Sequence, residues 1–276
     1  MDRFRGMVAI VTGGASGLGK ALCEELGRRR AVVVVTDVDE PGARAVAAGI
    51  EAAGGRASAA RLDVRDAAAV TALVEGTAAA HGQLDLMINN AGVAVTGEAQ
   101  ELGLEHWRRV VDVNLWGVIH GATAAYAVMT RQGSGHIVNV ASLAGLSGFP
   151  TVSPYATTKF AVVGLSQSLR AEGEDLGVKV SVVCPGFLQT AIYDNGTYVG
   201  SRKEDALAQV KFKMMDAGRA ARLTLDGVAR NRAFIVFPFY TRLLWRLVRL
   251  SPSIAAPLHR ATVRGFRASR RTAAHS

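Results

Sequence analysis

Met7-Val8-Ala9-Ile10-Val11-Thr12-Gly13-Gly14-Ala15-Ser16-Gly17-Leu18-Gly19 is the stretch on which the fold turns. An apolar run of strand length passes straight into a glycine-rich turn, and helical spacing begins near Gly17. Backbone can approach a pyrophosphate at such a turn only where side chains are absent, and the following helix N-terminus offers free N–H groups to the phosphates. Gly13, Gly17 and Gly19 supply those positions, with Ser16 and Leu18 between them. Their spacing is G-x-x-x-G-x-G rather than the more familiar G-x-G-x-x-G.

Working outward, strand-length apolar runs alternate with helical patterns. Val32 to Thr36, Ser58 to Leu62, Leu84 to Ile88, Gly135 to Val140 and Val178 to Cys184 read as strands. Helices are expected from Gly17 to Arg30, after Pro41, after the N-cap residue Asp66, around Trp107 to Met129, and through Tyr155 to about Leu176. Strands and helices alternating at these lengths imply right-handed crossovers and a parallel sheet covered on both faces. The expected fold is α/β: a Rossmann-type doubly wound parallel sheet in a single domain, with ligands at the carboxyl ends of the strands. Asp37 ends the second strand, where a carboxylate accepts hydrogen bonds from a ribose hydroxyl and repels a 2′-phosphate. Neither Ser16 nor Val38 offers the cation a 2′-phosphate needs, so NAD is favoured over NADP. Asp39 and Glu40 are rival acids, better suited to the start of the next helix.

Tyr155 and Lys159 stand four residues apart, on one face of a helix, and Ser142 precedes the pair by thirteen. A phenol is a poor base at neutral pH, with an ordinary pKa of about 10. An adjacent fixed cation favours the phenolate, so Lys159 is expected to bring Tyr155 toward the working range.

With Asn89-Asn90-Ala91-Gly92, Asn114, Pro185-Gly186 and Thr190 in the same order, the chain resembles the classical short-chain dehydrogenase/reductase family from Met7 to Thr190, and more loosely to Phe237. The resemblance implies hydride transfer with Tyr155 as general base in oxidation and general acid in reduction. It implies that Lys159 holds the nicotinamide ribose, and Ser142 the substrate oxygen. Asn114 would hold a water that relays protons from Lys159; its plainer alternative is a polar residue that kinks the helix. Asp63 and Val64 would line the adenine, Asn90, Ala91 and Gly92 the adenosine ribose, and Pro185, Gly186, Leu188 and Thr190 the carboxamide end. Leu143, Phe149, Phe187 and Tyr193 are the expected substrate-pocket residues, and about 187–223 the substrate lid. The domain is expected over 1–240, with 241–276 a basic amphipathic extension. Dimers or tetramers are what the family implies.

The chain has 276 residues, 49% of them hydrophobic, enough for one large core. Its net charge of +9 is concentrated: residues 227–276 hold ten arginines and no acid, while the rest is nearly neutral. That argues against nucleic acid as a partner and toward an acidic surface such as the inner face of a membrane, touched peripherally. Arg242, Arg246 and Arg249 fall within about 60° on a helical projection, with Leu243, Leu244, Leu247, Val248 and Leu250 opposite. Packing on the domain or a partner subunit is the equal alternative. Arg260 to Ser276 is expected to be poorly ordered. Cys23 and Cys184 form no C-x-x-C, and Cys184 reads as core; the six histidines show no ligand spacing, so no metal is expected. No signal segment is expected before the first strand, and the localisation expected is cytoplasmic. The leading function is NAD-dependent oxidation of a hydrophobic secondary alcohol, such as a steroid, retinoid or long-chain alcohol. A biosynthetic ketoreductase is the alternative, and a non-catalytic dinucleotide sensor a third.

Overall fold

Runs such as Val8–Thr12 and Val32–Asp37 have no polar face, so they are stable only as strands covered on both sides. The computed structural model describes residues 3–208, 210 and 212–273; Gln209 and Lys211 of the expected lid, and 274–276 of the tail, lie outside the described residues. In chain order the elements are β1 (Val8–Thr12), α1 (Gly17–Arg28), β2 (Val32–Asp37), α2 (Glu40–Ala52), β3 (Arg56–Arg61), α3 (Ala67–His81), β4 (Leu86–Asn89), β5 (Val95–Thr96), α4 (Leu104–Val111), α5 (Gly117–Gln132), β6 (Gly135–Val140), α6 (Ser153–Gly173), β7 (Val178–Pro185), β8 (Thr197–Tyr198), α7 (Lys203–Ala208), α8 (Ala217–Ala229), β9 (Phe234–Phe237), α9 (Phe239–Leu250) and α10 (Ala256–Ala273).

The main sheet is seven-stranded and parallel throughout, in the order β3-β2-β1-β4-β6-β7-β9. It is a doubly wound, Rossmann-type single domain. The chain moves outward from β1 to β3 and then returns to place β4 on β1's other side. The crevice of an open α/β sheet lies at that reversal, beyond the carboxyl ends. One face is covered by α1, α2 and α8, whose Leu22, Leu26, Ile50 and Leu225 pack on Val11 and Val33. The other is covered by α3 and α5, with α6 over the β6–β7 half. Asp39 caps α2 by accepting from Gly42 N (3.1 Å), and Asp66 caps α3 by accepting from Ala69 N (3.0 Å).

The expected helix around Trp107 to Met129 is present, with α4 and α5 joined through a wider turn of π type over Asp112–Trp116 in which the backbone stays helical. Two expectations need correction. Residues 217–223 are not lid: they form the first half of α8, whose Ala220, Ala221 and Leu225 are buried against the α1 side of the sheet. The residues from Arg260 onward are not a loose end. Through Ala273 they belong to α10, which the alanines and arginines favour by propensity, and Phe266 on it is 1% exposed.

The segment between β7 and α8 is tied down at mid-span. Thr197–Tyr198 forms a two-stranded parallel ladder with Val95–Thr96. Nearer the sheet, Leu188 pairs with Met215, and Phe187 O accepts from Met215 N at 2.9 Å. In α9, Trp245 stacks on Phe234 of β9 at 5.0 Å, so one side of that helix packs on the domain. Phe239, Leu243 and Leu250 remain exposed.

Candidate active site

Thr12 at the end of β1 ties the glycine turn to the β4 loop. Its Oγ1 accepts from Asn90 N (3.0 Å) and Ala91 N (3.1 Å), while Asn90 Nδ2 donates to Thr12 O (2.9 Å) and Gly13 O (3.1 Å). Little room is left there. A Cβ on Gly19 would lie 1.9 Å from Gly13 O, and Gly17 has φ +53° with Thr190 Cβ 3.1 Å from where its own Cβ would stand. Ser16 precedes α1 in extended conformation without capping it through its side chain, and the first turn carries no acid, so the N–H groups face the crevice unopposed. Asp37 Oδ2 accepts from Ala15 N at 3.0 Å and Oδ1 from Asp39 N at 3.0 Å, leaving further lone pairs on its carboxylate. This cradle fits a pyrophosphate and a ribose diol.

Behind it a buried polar chain fixes α6 to the sheet. Asn89 Nδ2 donates to Asn139 Oδ1 (2.8 Å), Asn139 Nδ2 to Ser166 Oγ (3.0 Å), and Ser166 Oγ to Val162 O (2.7 Å). The helix so held carries Tyr155 and Lys159. Lys159, 3% exposed, donates from Nζ to Val140 O at 2.8 Å, and burial lowers its pKa to about 8. Its Nζ stands 5.5 Å from the centre of the Tyr155 ring. Ser142, at the end of β6, accepts from Ala144 N (3.1 Å) and hydrogen-bonds the Tyr155 phenol.

The expected lowering of Tyr155 by Lys159 is not what the chain shows. Burial raises the phenol's pKa, and the hydrogen bond from Ser142 only works against that rise. Desolvation disfavours the charged form of both partners. Asn114 is held from both ends of its side-chain amide. It is fully buried in the π-type turn, where Oδ1 accepts from Val93 N (2.8 Å) and Nδ2 donates to Val93 O (2.9 Å). The side chain is thereby committed to holding the β4 loop. Gly92 lies between Asn114 Oδ1 and Lys159 Nζ; an added Cβ would meet them at 3.3 and 3.7 Å.

All the remaining residues expected from sequence, except Gly19 and Asn114, line one cleft of about 660 Å³. At one end are Asp37, Asp63 and Val64; the Arg65 guanidinium holds the Asp63 carboxyl below the usual range. Pro185, Gly186, Leu188 and Thr190 line its middle, near Ser142, Tyr155 and Lys159. Leu143, Phe149, Phe187 and Tyr193 line the far end. Sequence reasoning missed the rest of that end. Phe187 stacks on Phe212 at 6.1 Å, Phe212 on Tyr240 at 4.6 Å, and Leu258 and Phe266 of α10 complete the wall. The phenol of Tyr240 accepts from Phe187 N at 3.3 Å. Cys184 beneath the site is buried, and its thiol is pushed up to about 12. Among the described residues, no cluster of His, Cys, Asp and Glu could hold a metal ion.

The family model for short chain dehydrogenase matches residues 7–197. The chain belongs to the short-chain dehydrogenase family. It is an oxidoreductase of that family. The dehydrogenase is 33% identical over 271 residues to SadH of Mycobacterium tuberculosis, covering 96% of this chain and 98% of the relative. That span leaves too little uncovered to omit α9 and α10. A cyclohexanol dehydrogenase of an Acinetobacter species is 35% identical over 192 residues, 69% of this chain and 76% of its own. Among solved structures, a short-chain dehydrogenase/reductase from Burkholderia phymatum in complex with NAD superposes with a TM-score of 0.80 at 31% identity, covering 94% of this chain and 93% of that one.

Proposed function

We propose that the dehydrogenase interconverts a hydrophobic secondary alcohol and its ketone, with NAD as the hydride carrier. The observation that carries this reading is one cleft with three chemistries in sequence: a side-chain-free cradle with a carboxylate, a Ser-Tyr-Lys cluster, and an aromatic chamber. The NAD complex of the Burkholderia relative and the cyclic alcohol named for the Acinetobacter relative support it.

Gly13, Ser16, Gly17, Leu18 and Gly19 would hold the pyrophosphate; Asp37, with Asn90, Ala91 and Gly92 packed alongside, the adenosine ribose; Asp63 and Val64 the adenine; Lys159 the nicotinamide ribose; and Pro185, Gly186, Leu188 and Thr190 the carboxamide. When bound, the dinucleotide supplies the hydride acceptor or donor. Ser142 Oγ orients the substrate oxygen against the Tyr155 hydroxyl, which takes the alcohol proton in oxidation and returns it in reduction. Lys159 keeps its proton at neutral pH and offers a positive field beside the phenol. Asn114 is a positioning residue, acting through Val93. Leu143, Phe149, Phe187 and Tyr193 hold the apolar body of a lipid-like substrate, such as a steroid, retinoid or long-chain alcohol.

Asp37 already anchors the turn through Ala15 N, so Asp37→Asn is the informative substitution: it removes charge while keeping an acceptor. Wild-type protein should bind NADH more tightly than NADPH by fluorescence titration, and Asp37→Asn should narrow the gap. Equal wild-type affinities would refute the reading of Asp37. A panel of steroids, retinols, and cyclic and aliphatic secondary alcohols, followed by NADH fluorescence, tests the substrate class; turnover confined to charged substrates would refute it.

A further inference from the structure

The chamber is not closed by the lid alone. After α9 the chain turns through Pro252–Ala255 and runs back as α10, packing on α7 of the lid. Ala261, Thr262 and Phe266 lie three, four and eight residues after Leu258, so all four fall on one helix face, and all four line the cleft. On the same helix His259 stands 5.6 Å from Phe149, the aromatic ring that follows β6. Arg267 reaches the opposite bank: its Nε donates to Glu98 Oε1 at 2.7 Å, just beyond the β5 ladder. The helix therefore touches the lid, the loop after β6 and the segment after β5, which are the three sides of the chamber mouth.

We infer that α10 is the end wall of the substrate chamber and that Phe266 is its length-determining residue. This rests on the proposed alcohol–ketone chemistry for its substrates, but not for its geometry. A wall of Leu258, Ala261, Thr262 and Phe266 carries no charge, so the end of the substrate remote from the reacting carbon is apolar and uncharged. A chain too long to stop short of the Phe266 ring must displace a side chain that is 1% exposed and held in place on its own helix by the Arg267–Glu98 pair. Discrimination of about tenfold per excess methylene is the scale of such a fit. Arg260 and Arg264, which add to the tail's charge, are exposed and do not line the cleft.

The test uses the full-length protein, NAD and a series of 2-alkanols of increasing length. Wild-type kcat/KM should climb with length and then fall at a cut-off. In Phe266→Ala the cut-off should move to longer alcohols, with the long-to-short ratio of kcat/KM raised about tenfold or more. In Ala261→Phe, which fills the chamber from the same face, it should move to shorter ones, and this variant decides the matter if Phe266→Ala does not fold. Hydrogen exchange over 256–268 is the readout independent of turnover: amides should be protected in the wild type and exchange faster in Arg267→Gln. A cut-off unmoved in both chamber variants, or exchange over α10 as fast as in an unfolded peptide, overturns the inference. If no alcohol is turned over but α10 is protected, the proposed substrate fails while the wall stands.

Discussion

At the residue scale the site hinges on the charge state of one phenol. Burial holds Tyr155 above its ordinary pKa, so the phenolate that the proposed mechanism needs in oxidation is scarce at neutral pH and grows as pH rises. Alcohol oxidation should therefore accelerate into the alkaline range, while ketone reduction, which needs the protonated phenol, should hold through neutrality and decline above it. Opposed pH–rate profiles in the two directions would bear this out. Tyr155→Phe should lower both rates by about 10²–10⁴-fold with NADH affinity retained. Near wild-type turnover in that variant would remove Tyr155 from the chemistry. The identity of these residues was legible in the sequence, because a glycine turn and a four-residue spacing are local facts. The sign of the phenol's shift was not, because desolvation depends on Val95, Leu102 and Val110, which the fold brings from afar. Tyr240 and Phe266 were hidden for the same reason: an aromatic residue at helical or loop spacing looks alike whether it meets core or cavity.

At the element scale, long apolar strands announced themselves through continuous valine and isoleucine, whereas β5 and β8, two residues each, carry no periodicity to read. In α8, Arg219, Arg222 and small alanines dilute the apolar pattern, which is why its start was merged with the lid. The central strands hold one titratable group with a consequence for stability. His136 on β6 is 8% exposed, its Nε2 lies 2.8 Å from Ser181 Oγ of β7, and burial lowers its pKa to about 3. The unfolded chain takes up a proton near pH 6.5, which the folded chain refuses until about 3. Stability from this group is therefore complete above about pH 6.5 and is lost as pH falls, by about 1.4 kcal/mol per unit. Chemical denaturation between pH 7 and 5, before most carboxylates titrate, should show that slope in the wild type, and His136→Gln should flatten it. An unchanged slope would mean the imidazole is not the group responsible.

At the scale of the whole molecule, charge and apolar exposure coincide at one corner. Phe239 (76% exposed), Leu243 (48%) and Leu250 (82%) project from α9, and Ile254 follows it, among arginines and no acids. Trp245 packs inward on Phe234, so part of α9 belongs to the domain while its outer side is available. No described helix is long and apolar enough to cross a membrane. We propose that this corner rests on an anionic lipid surface. Intact protein should sediment with anionic vesicles at low salt and release as salt screens the arginines. Leu243→Asp with Leu250→Asp should abolish sedimentation without lowering thermal stability, since both side chains are solvent-facing. Loss of oligomer rather than of sedimentation would assign the corner to a second subunit instead.

The ladder between Val95–Thr96 and Thr197–Tyr198 has a kinetic corollary. A flap fastened at its midpoint does not swing as one piece, so in the proposed reaction cofactor and ketone would leave by separate openings, at rates that need not be coupled. Stopped-flow measurement should find the NADH off-rate insensitive to the length of the alcohol just oxidised. Thr197→Pro, which deletes the N–H that donates to Ala94 O, should merge the openings and make the two departures rise together. An NADH off-rate that tracks alcohol length in the wild type would mean that the fastening gives way in every turnover.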